Sequence, residues 1–238
     1  MIPLVLVHGF MGGAAQWADQ TPLSAKRELV CVDLPGFGAN AGMAPLTSIA
    51  AYADWVLDAL DREGHTRFDL LGHSMGGMIV QDMARRAPER LRKLVLYATG
   101  AVGVLPERFE PIAVSMERAR MDGAQATAQR ISATWFLHGD KAAGYPACSH
   151  VAQRAGLPAI LAGLAAMREW SGAETLHQIA APTLVIWGDQ DRTYGWPQIE
   201  RLWTTIPECQ LAVVPNCAHA VHMEEPVLFN ALLSRFLE

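Results

Sequence analysis

Short apolar runs alternate along the chain with longer stretches in which apolar residues recur every three or four positions. The short runs are rich in β-branched residues, which is typical of strands that are buried on both faces of a parallel sheet. The alternation predicts an α/β fold with a mostly parallel sheet of about six strands and helices on both faces. The predicted strands cover residues 3–7, 29–33, 68–72, 94–98, 183–188 and 211–215.

The clearest helical pattern lies between the second and third predicted strands. Over residues 47–62, the apolar side chains of Ile49, Val56 and Leu60 fall on one side of a helix, and most acidic side chains fall on the other. A helix that covers a sheet needs this division into an apolar and a polar side. Two further helices are predicted over residues 75–86 and 226–238.

One long segment, residues 101–181, lacks a predicted strand. We interpret it as a helical insertion that forms a lid over a core domain of residues 1–100 and 182–238. Its predicted helices cover residues 109–121, 124–136 and 158–170. Most of its large apolar side chains should form its own core, while a few should line a ligand pocket. The candidate pocket residues are Met116, Trp135 and Trp170 of the insertion and Trp196 of the core domain.

A G-x-S-x-G motif, Gly72-His73-Ser74-Met75-Gly76, lies at the junction of a predicted strand and a predicted helix. A sharp turn at this junction brings backbone segments close together, so only residues without a Cβ atom fit on either side of the serine. The turn would hold the serine hydroxyl above the edge of the sheet. The motif therefore predicts that Ser74 is a nucleophile.

A serine hydroxyl is a weak nucleophile near neutral pH, so it needs a base, and the base needs an orienting carboxylate. Asp189 and Asp191 directly follow the predicted strand 183–188, and His219 follows the predicted strand 211–215. The candidate acids and the candidate base thus come at the carboxyl ends of strands. The chain order of serine, aspartate and histidine is the order expected for this motif.

Attack on a carbonyl group also requires two backbone N–H donors for the oxyanion that forms. One donor would be Met75, at the start of the helix that follows the serine. The other should come from the glycine-containing loop after the first strand, residues 8–13, with Phe10 as the candidate donor.

Together these motifs resemble those of the α/β-hydrolase superfamily, and the resemblance extends from Leu4 to the C-terminus. In such proteins the acid usually stands three residues after the glycine that ends its strand, which implies Asp191 as the third member of the triad. Ser74 argues against dehalogenase and epoxide hydrolase activities, because those family members use an aspartate nucleophile. The motifs that carry the resemblance are Val7-His8-Gly9-Phe10, Asp33-Leu34-Pro35-Gly36-Phe37-Gly38, Gly72-His73-Ser74-Met75-Gly76-Gly77, Gly188-Asp189-Gln190-Asp191 and Ala218-His219.

The resemblance implies a serine hydrolase that cleaves a small to medium carboxylic ester, thioester or lactone through an acyl-enzyme on Ser74. A first alternative is hydrolysis of a carbon–carbon bond, or a lyase step, at the same triad. Ala220 weakens the carbon–carbon alternative, because hydrolases of the meta-cleavage type often carry tryptophan directly after the catalytic histidine. A second alternative is a ligand receptor built on a hydrolase scaffold.

Composition narrows the possible partners. The 238 residues carry a formal net charge of −5 without a cluster of basic residues, which argues against nucleic acid or an anionic membrane as a partner. The four cysteines are scattered, as in proteins of a reducing compartment, and the N-terminal apolar run lacks the basic flank of a signal peptide. We therefore expect a cytoplasmic enzyme that acts on a small-molecule substrate.

Two patterns that suggest a cofactor or a metal have simpler interpretations. Residues 36–41 fit the dinucleotide pattern G-x-G-x-x-A, but Pro45 follows closely and no helix opens there to bind a pyrophosphate. A second pattern resembles a metal cluster but has no further ligand group at a recognised spacing, and its two glutamates fit the acidic first turn of the final helix. Its residues are Cys217, His219, His222, Glu224 and Glu225. We expect neither a cofactor nor a metal.

Overall fold

Six strands form one sheet in a computed structural model that describes residues 2–106 and 108–238. The strands are β1 Leu4–Val7, β2 Leu29–Val32, β3 Phe68–His73, β4 Leu91–Tyr97, β5 Thr183–Gly188 and β6 Cys209–Val214. They lie in the order β2-β1-β3-β4-β5-β6, and every neighbouring pair is parallel. This confirms the predicted α/β fold with a parallel sheet.

Eight α-helices accompany the sheet within the described ranges: α1 Ile49–Arg62, α2 Met75–Arg86, α3 Ile112–Ala133, α4 Tyr145–Ala152, α5 Leu157–Arg168, α6 Trp196–Thr205, α7 Val221–Glu224 and α8 Pro226–Leu237. The predicted helices at α1, α2 and α8 are confirmed. Helix α1 begins two residues later than expected because Ser48 is its N-cap, with the Ser48 hydroxyl accepting a hydrogen bond from Ala51 N–H at 3.1 Å. Helix α6 was not predicted.

Both faces of the sheet are covered, and successive strand residues belong to different cores. Leu4 and Leu6 of β1 pack on the face covered by α8, whereas Val5 and Val7 pack on the face covered by α1, α2 and α6. Every residue of β1 and β5 is buried, so these two strands are mostly apolar runs rather than an alternation of apolar and polar residues.

The segment between β4 and β5 is helical, as expected, and contains α3, α4 and α5. Two of its predicted helices correspond to the halves of α3, which is broken at Gly123, where φ is 80°. Helix α4 was not predicted. Ile160 and Leu164 of α5 belong to the same apolar core as Phe10, so the insertion packs directly on the sheet domain. None of the helices described is long and apolar enough to cross a membrane.

Candidate active site

Ser74 lies between β3 and α2 with backbone angles of φ 55° and ψ −117°. A residue with a Cβ atom adopts such angles at a cost of about 1–3 kcal/mol, so the surrounding structure must hold it there. Two hydrogen bonds do so. Ser74 N–H donates to the Tyr97 carbonyl at 3.0 Å, and the Thr99 hydroxyl donates to the Ser74 carbonyl at 2.8 Å. The turn places the Ser74 side chain at the edge of a cavity.

The two glycines of the motif are required by close approach of the backbone. A Cβ atom at Gly76 would lie 2.6 Å from the His8 carbonyl oxygen and still closer to the Val7 carbonyl oxygen. A Cβ atom at Gly72 would lie 2.5 Å from Val80 Cγ2 and would also strike the backbone of Gly76. Real Cβ atoms do not come this close to other heavy atoms. The turn at Ser74 therefore depends on glycine at both positions.

His219 and Asp191 form a buried hydrogen-bonded pair. His219 Nδ1 lies 2.8 Å from Asp191 Oδ2, and the two side chains are 1% and 0% exposed. The other carboxylate oxygen of Asp191 accepts hydrogen bonds from Thr193 N–H at 2.7 Å and Tyr194 N–H at 3.3 Å. These bonds fix the Asp191 carboxylate, and His219 Nδ1–H donates to it. The Nε2 atom of His219 is left to accept a proton.

The Asp189 carboxylate, the other candidate acid, does not contact His219. Its Oδ1 atom is buried and has no hydrogen-bond partner among residues 2–106 and 108–238. The two aspartates are therefore distinguished by geometry that their common position after β5 did not reveal.

The loop that carries His219 is held on both sides. Glu224 accepts hydrogen bonds from Ala218 N–H at 2.7 Å and from Leu137 N–H of the insertion at 2.6 Å. The His219 carbonyl accepts one hydrogen bond from the Tyr97 hydroxyl at 2.9 Å and one from His73 Nε2 at 3.1 Å. Glu224 thus acts as a brace rather than a metal ligand. No group of three or more metal-binding side chains occurs in the described part of the chain.

Ser74 and His219 line the same cavity, which has a volume of about 20 Å³. That volume holds about one water molecule. The structure shows no hydrogen bond between the Ser74 hydroxyl and His219 within residues 2–106 and 108–238. Ser74 and His219 therefore line one cavity without a hydrogen bond between them in the described structure. Tyr194 lies beside both residues.

Tyr194 is one of the residues at this cavity that sequence reasoning did not assign to the site. Its ring stacks on the His219 imidazole, with 5.8 Å between the ring centroids and 15° between the planes. Burial raises the pKa of the Tyr194 hydroxyl to about 12, and the nearby side chains of Ser74 and Thr99 oppose part of the rise. Tyr194 is therefore a neutral phenol that lines the cavity next to the candidate nucleophile.

The candidate oxyanion donors, Phe10 and Met75, are both buried. Neither of their backbone N–H groups donates to an acceptor among the residues described. Met75 begins α2, where the first N–H groups of a helix have no partner within the helix. The loop that carries Phe10 passes directly against Ser74, since a Cβ atom at Gly9 would lie 3.0 Å from Ser74 Cβ. The two unused donors are thus close to Ser74.

His8 braces that loop. Its Nε2 atom accepts a hydrogen bond from Leu34 N–H at 3.0 Å, and its Nδ1 atom lies 2.7 Å from the Gly9 carbonyl oxygen. Burial lowers the pKa of His8 to about 4. A neutral imidazole with its proton on Nδ1 satisfies both contacts, so His8 supports the loop and is not available as a base.

Only one of the four candidate pocket residues lines the cavity, and this residue is Trp135. Trp196 lies on the outer side of α6, 40% exposed, where it packs near Trp187 and Trp203. Met116 and Trp170 are partly buried against the apolar core. The expectation for these three residues is corrected, because their apolar character serves packing away from Ser74. The insertion supplies instead the cavity residues Gly103, Leu105, Arg108, Phe109, Ile112, Ile131 and Met167.

The sequence matches the model of the alpha/beta hydrolase family over residues 4–232. This chain belongs to that family. The match includes the whole sheet and most of the final helix of this hydrolase, together with the elements that carry Ser74, Asp191 and His219.

Related proteins carry different activities. The putative carbamate hydrolase RutD of Rhizobium rhizogenes is 31% identical, over 98% of this chain and 92% of its own length. A 2-hydroxy-6-oxo-2,4-heptadienoate hydrolase of Pseudomonas putida is 30% identical, over 99% and 88%. The structure of a thermophilic esterase from Thermogutta terrifontis is 26% identical with a TM-score of 0.89, over 100% of this hydrolase and 89% of that chain. Membership of the family does not by itself select the substrate.

Proposed function

We propose that this hydrolase cleaves a small to medium carboxylic ester, or a thioester or lactone, through an acyl-enzyme on Ser74. The observation that carries the proposal is the 2.8 Å contact between His219 and Asp191 beside the cavity that Ser74 lines. A buried imidazole with its Nδ1 proton fixed by a carboxylate is oriented to take a proton at Nε2. The strained backbone of Ser74 supports the assignment of this serine as the nucleophile.

In the proposed reaction, the Ser74 oxygen attacks the carbonyl carbon while His219 Nε2 removes the hydroxyl proton. Rotation about the Cα–Cβ bond of Ser74 would turn the hydroxyl toward His219. Catalytic hydrogen bonds are often absent or loose before substrate binds. The N–H groups of Phe10 and Met75 would stabilise the oxyanion. His219 then protonates the leaving alcohol, and water attacks the acyl-enzyme with His219 as the base. The bond from the acyl carbon to the Ser74 oxygen then breaks, His219 returns its proton to that oxygen, and the carboxylic acid is released.

The volume of the cavity supports a lid role for residues 101–181. Space for about one water molecule is too small even for a short ester. Because Ile112, Trp135 and Met167 form one wall, moving part of the insertion away from the sheet would enlarge the cavity. We therefore propose that substrate enters with the insertion displaced, and that closure excludes water.

Labelling and turnover test the proposal together. A fluorophosphonate should label Ser74, and p-nitrophenyl esters from acetate to decanoate should be hydrolysed with a preference for short acyl chains. Ser74→Ala should abolish labelling and lower kcat by at least about 10³-fold. Ser234→Ala is the matched control, because it removes a hydroxyl from α8, away from the cavity. Undiminished turnover in Ser74→Ala would refute the proposal.

A second candidate is hydrolysis of a carbon–carbon bond. It is favoured by the 30% identity to a protein named 2-hydroxy-6-oxo-2,4-heptadienoate hydrolase. A panel that contains a vinylogous diketone, a carbamate and an ester of matched size separates the candidates. The largest kcat/KM identifies the bond cleaved, and dependence on Ser74 in each case shows whether the same site is used.

A further inference from the structure

One cation borders the catalytic cavity on the side of the insertion. The Arg108 guanidinium lines the cavity together with Ser74 and His219, and its Cζ atom lies 4.3 Å from the centre of the Phe109 ring. Its Nη1 atom donates to the Ser115 hydroxyl at 3.0 Å and to the Glu110 carbonyl. Within residues 2–106 and 108–238, no protein acceptor meets its Nε or Nη2 atoms. Among the described residues, the Nε and Nη2 side of the guanidinium thus has no acceptor.

The nearby carboxylate of Glu110 is engaged by other groups. Glu110 accepts hydrogen bonds from Ser115 at 2.7 Å, from Arg130 at 2.7 Å and from Arg118 at 3.1 Å. Arg108 forms no ion pair within 4.0 Å with any carboxylate of the described ranges. Because Arg118 and Arg130 bind Glu110, the positive charge of Arg108 has no direct counterion among the carboxylates of the described residues.

This charge is also partly removed from water. Burial lowers the pKa of Arg108, whereas Tyr194 and Glu110 oppose the decrease and Arg130 adds to it. The guanidinium nevertheless keeps its charge at neutral pH, because its ordinary pKa is above 12. A partly buried charge without a direct partner is unfavourable, and an anionic ligand would relieve that cost. Arg108 lines the same cavity as Tyr194 and Ser74, so its charge lies on the wall that faces the candidate nucleophile.

We propose that Arg108 binds a carboxylate of the substrate, so that the ester, thioester or lactone cleaved here carries a carboxylate group in the same molecule. This inference rests on the proposed function. The free Nε and Nη2 atoms present two parallel donors, which match the two oxygens of a carboxylate. Arg108 would thus determine specificity, while Ser74 and His219 perform the chemistry.

Two alkyl esters of the same shape test the inference. Monoethyl succinate carries a carboxylate where ethyl 4-methylpentanoate carries an isopropyl group. Hydrolysis of both is followed by proton release. The wild-type enzyme should prefer the succinate ester by at least about 10-fold in kcat/KM, because a hydrogen bond to a charged group discriminates by about 10- to 100-fold. Equal rates, or a preference for the neutral ester, would overturn the inference without any variant.

Substitutions then locate the effect. Arg108→Met should lower kcat/KM for the succinate ester by about 10- to 100-fold and change the neutral ester less than about 3-fold. Arg108→Lys should retain part of the preference, because it keeps the charge and loses the paired donors. Arg118→Met is the control, since Arg118 also binds Glu110 but does not line the cavity. Equal losses for both esters in Arg108→Met would assign Arg108 a purely structural role.

The proposed function can fail separately from this inference. If Ser74→Ala hydrolyses both esters at the wild-type rate, the nucleophile assignment fails. If hydrolysis depends on Ser74 but the preference for the succinate ester is absent, only the assignment of Arg108 fails.

Discussion

The two walls of the cavity that Ser74 and His219 line are built in different ways. On the side of the sheet, backbone contacts hold Ser74: its N–H group binds Tyr97, and the glycine at position 76 abuts the backbone of residues 7 and 8. On the side of the insertion, side chains form the wall, among them Ile112 and Trp135. Backbone geometry tolerates few substitutions, whereas a wall of side chains is easily altered. This difference explains how one family combines a common fold with relatives of several named activities.

The two walls meet close to the candidate base. Ala220 N–H donates to the Trp135 carbonyl at 2.9 Å, and Glu224 bonds both to Leu137 and to the loop that carries His219. The middle of the insertion, just after α3, is therefore fixed to the sheet domain at this point. If the proposed lid moves, we expect the displacement in the earlier part of the insertion, around α3, where Met121 is 76% exposed.

The largest expected effect concerns the sheet wall. Asp191→Asn should lower kcat for ester hydrolysis by about 10⁴-fold, because an amide facing His219 Nδ1 favours the wrong tautomer of the imidazole. Folding should be retained, since an asparagine Oδ1 atom can still accept from Thr193 N–H. The measurement is kcat together with the thermal midpoint of unfolding.

Asp189→Asn is the matched control for this prediction. Asp189 follows the same strand but forms no hydrogen bond with His219. The kcat of the Asp189→Asn enzyme should therefore stay within about 3-fold of the wild-type value. A larger loss in Asp189→Asn than in Asp191→Asn would show that the acid of the triad has been assigned to the wrong residue.

The next effect compares a glycine of the turn at Ser74 with a glycine of the insertion. Gly76→Ala should lower the free energy of unfolding by at least about 3 kcal/mol, because its Cβ atom would meet two carbonyl groups that cannot withdraw. Gly156→Ala, at the start of α5 in the insertion, should change it by less than about 1 kcal/mol. There φ is −73°, and the nearest atom to a new Cβ is Pro158 Cδ at 3.7 Å.

Urea denaturation of the two glycine variants measures this difference. A small effect of Gly76→Ala would mean that the turn at Ser74 relaxes easily, and the contrast between a rigid sheet wall and an adaptable insertion wall would then fail.

The sequence was most informative where backbone geometry restricts residue type. Apolar runs predicted each strand, and the glycines around Ser74 predicted the turn because no other residue fits there. The order of strands placed Asp191 and His219 at one edge of the sheet. Family resemblance was still needed to choose between Asp189 and Asp191, because both directly follow β5. The hydrogen bond that separates them depends on side-chain directions within a loop.

The insertion was less predictable because its helices bury more than one side. Helix α4 has eight residues, too few for an apolar period to be recognised. Apolar content also could not show whether Met116 or Trp135 would face the cavity, since both pack against other parts of the protein. Arg108 lies in a segment without periodicity, so no pattern in the sequence marked it as a cavity residue.

The smallest expected effect concerns histidines. The imidazole of His222 is buried. Burial is the main cause that lowers its pKa to about 3, and His219 lowers it further. His150 of α4 is exposed. Between pH 6.5 and about 3, His222 is protonated in the unfolded chain but neutral in the folded protein. Unfolding therefore takes up a proton in this window, and its free energy falls as the pH falls.

Relative to pH 7.5, the contribution of His222 at pH 5 amounts to about 2 kcal/mol. The drop in unfolding free energy between these pH values should be smaller by this amount in His222→Gln and unchanged in His150→Gln. His8, whose pKa is lowered to about 4, and the buried His73 should maintain the remaining acid sensitivity. Urea titrations at both pH values provide the comparison. If His150→Gln reduced the drop in unfolding free energy as much as His222→Gln does, the acid sensitivity would not arise from the burial of His222.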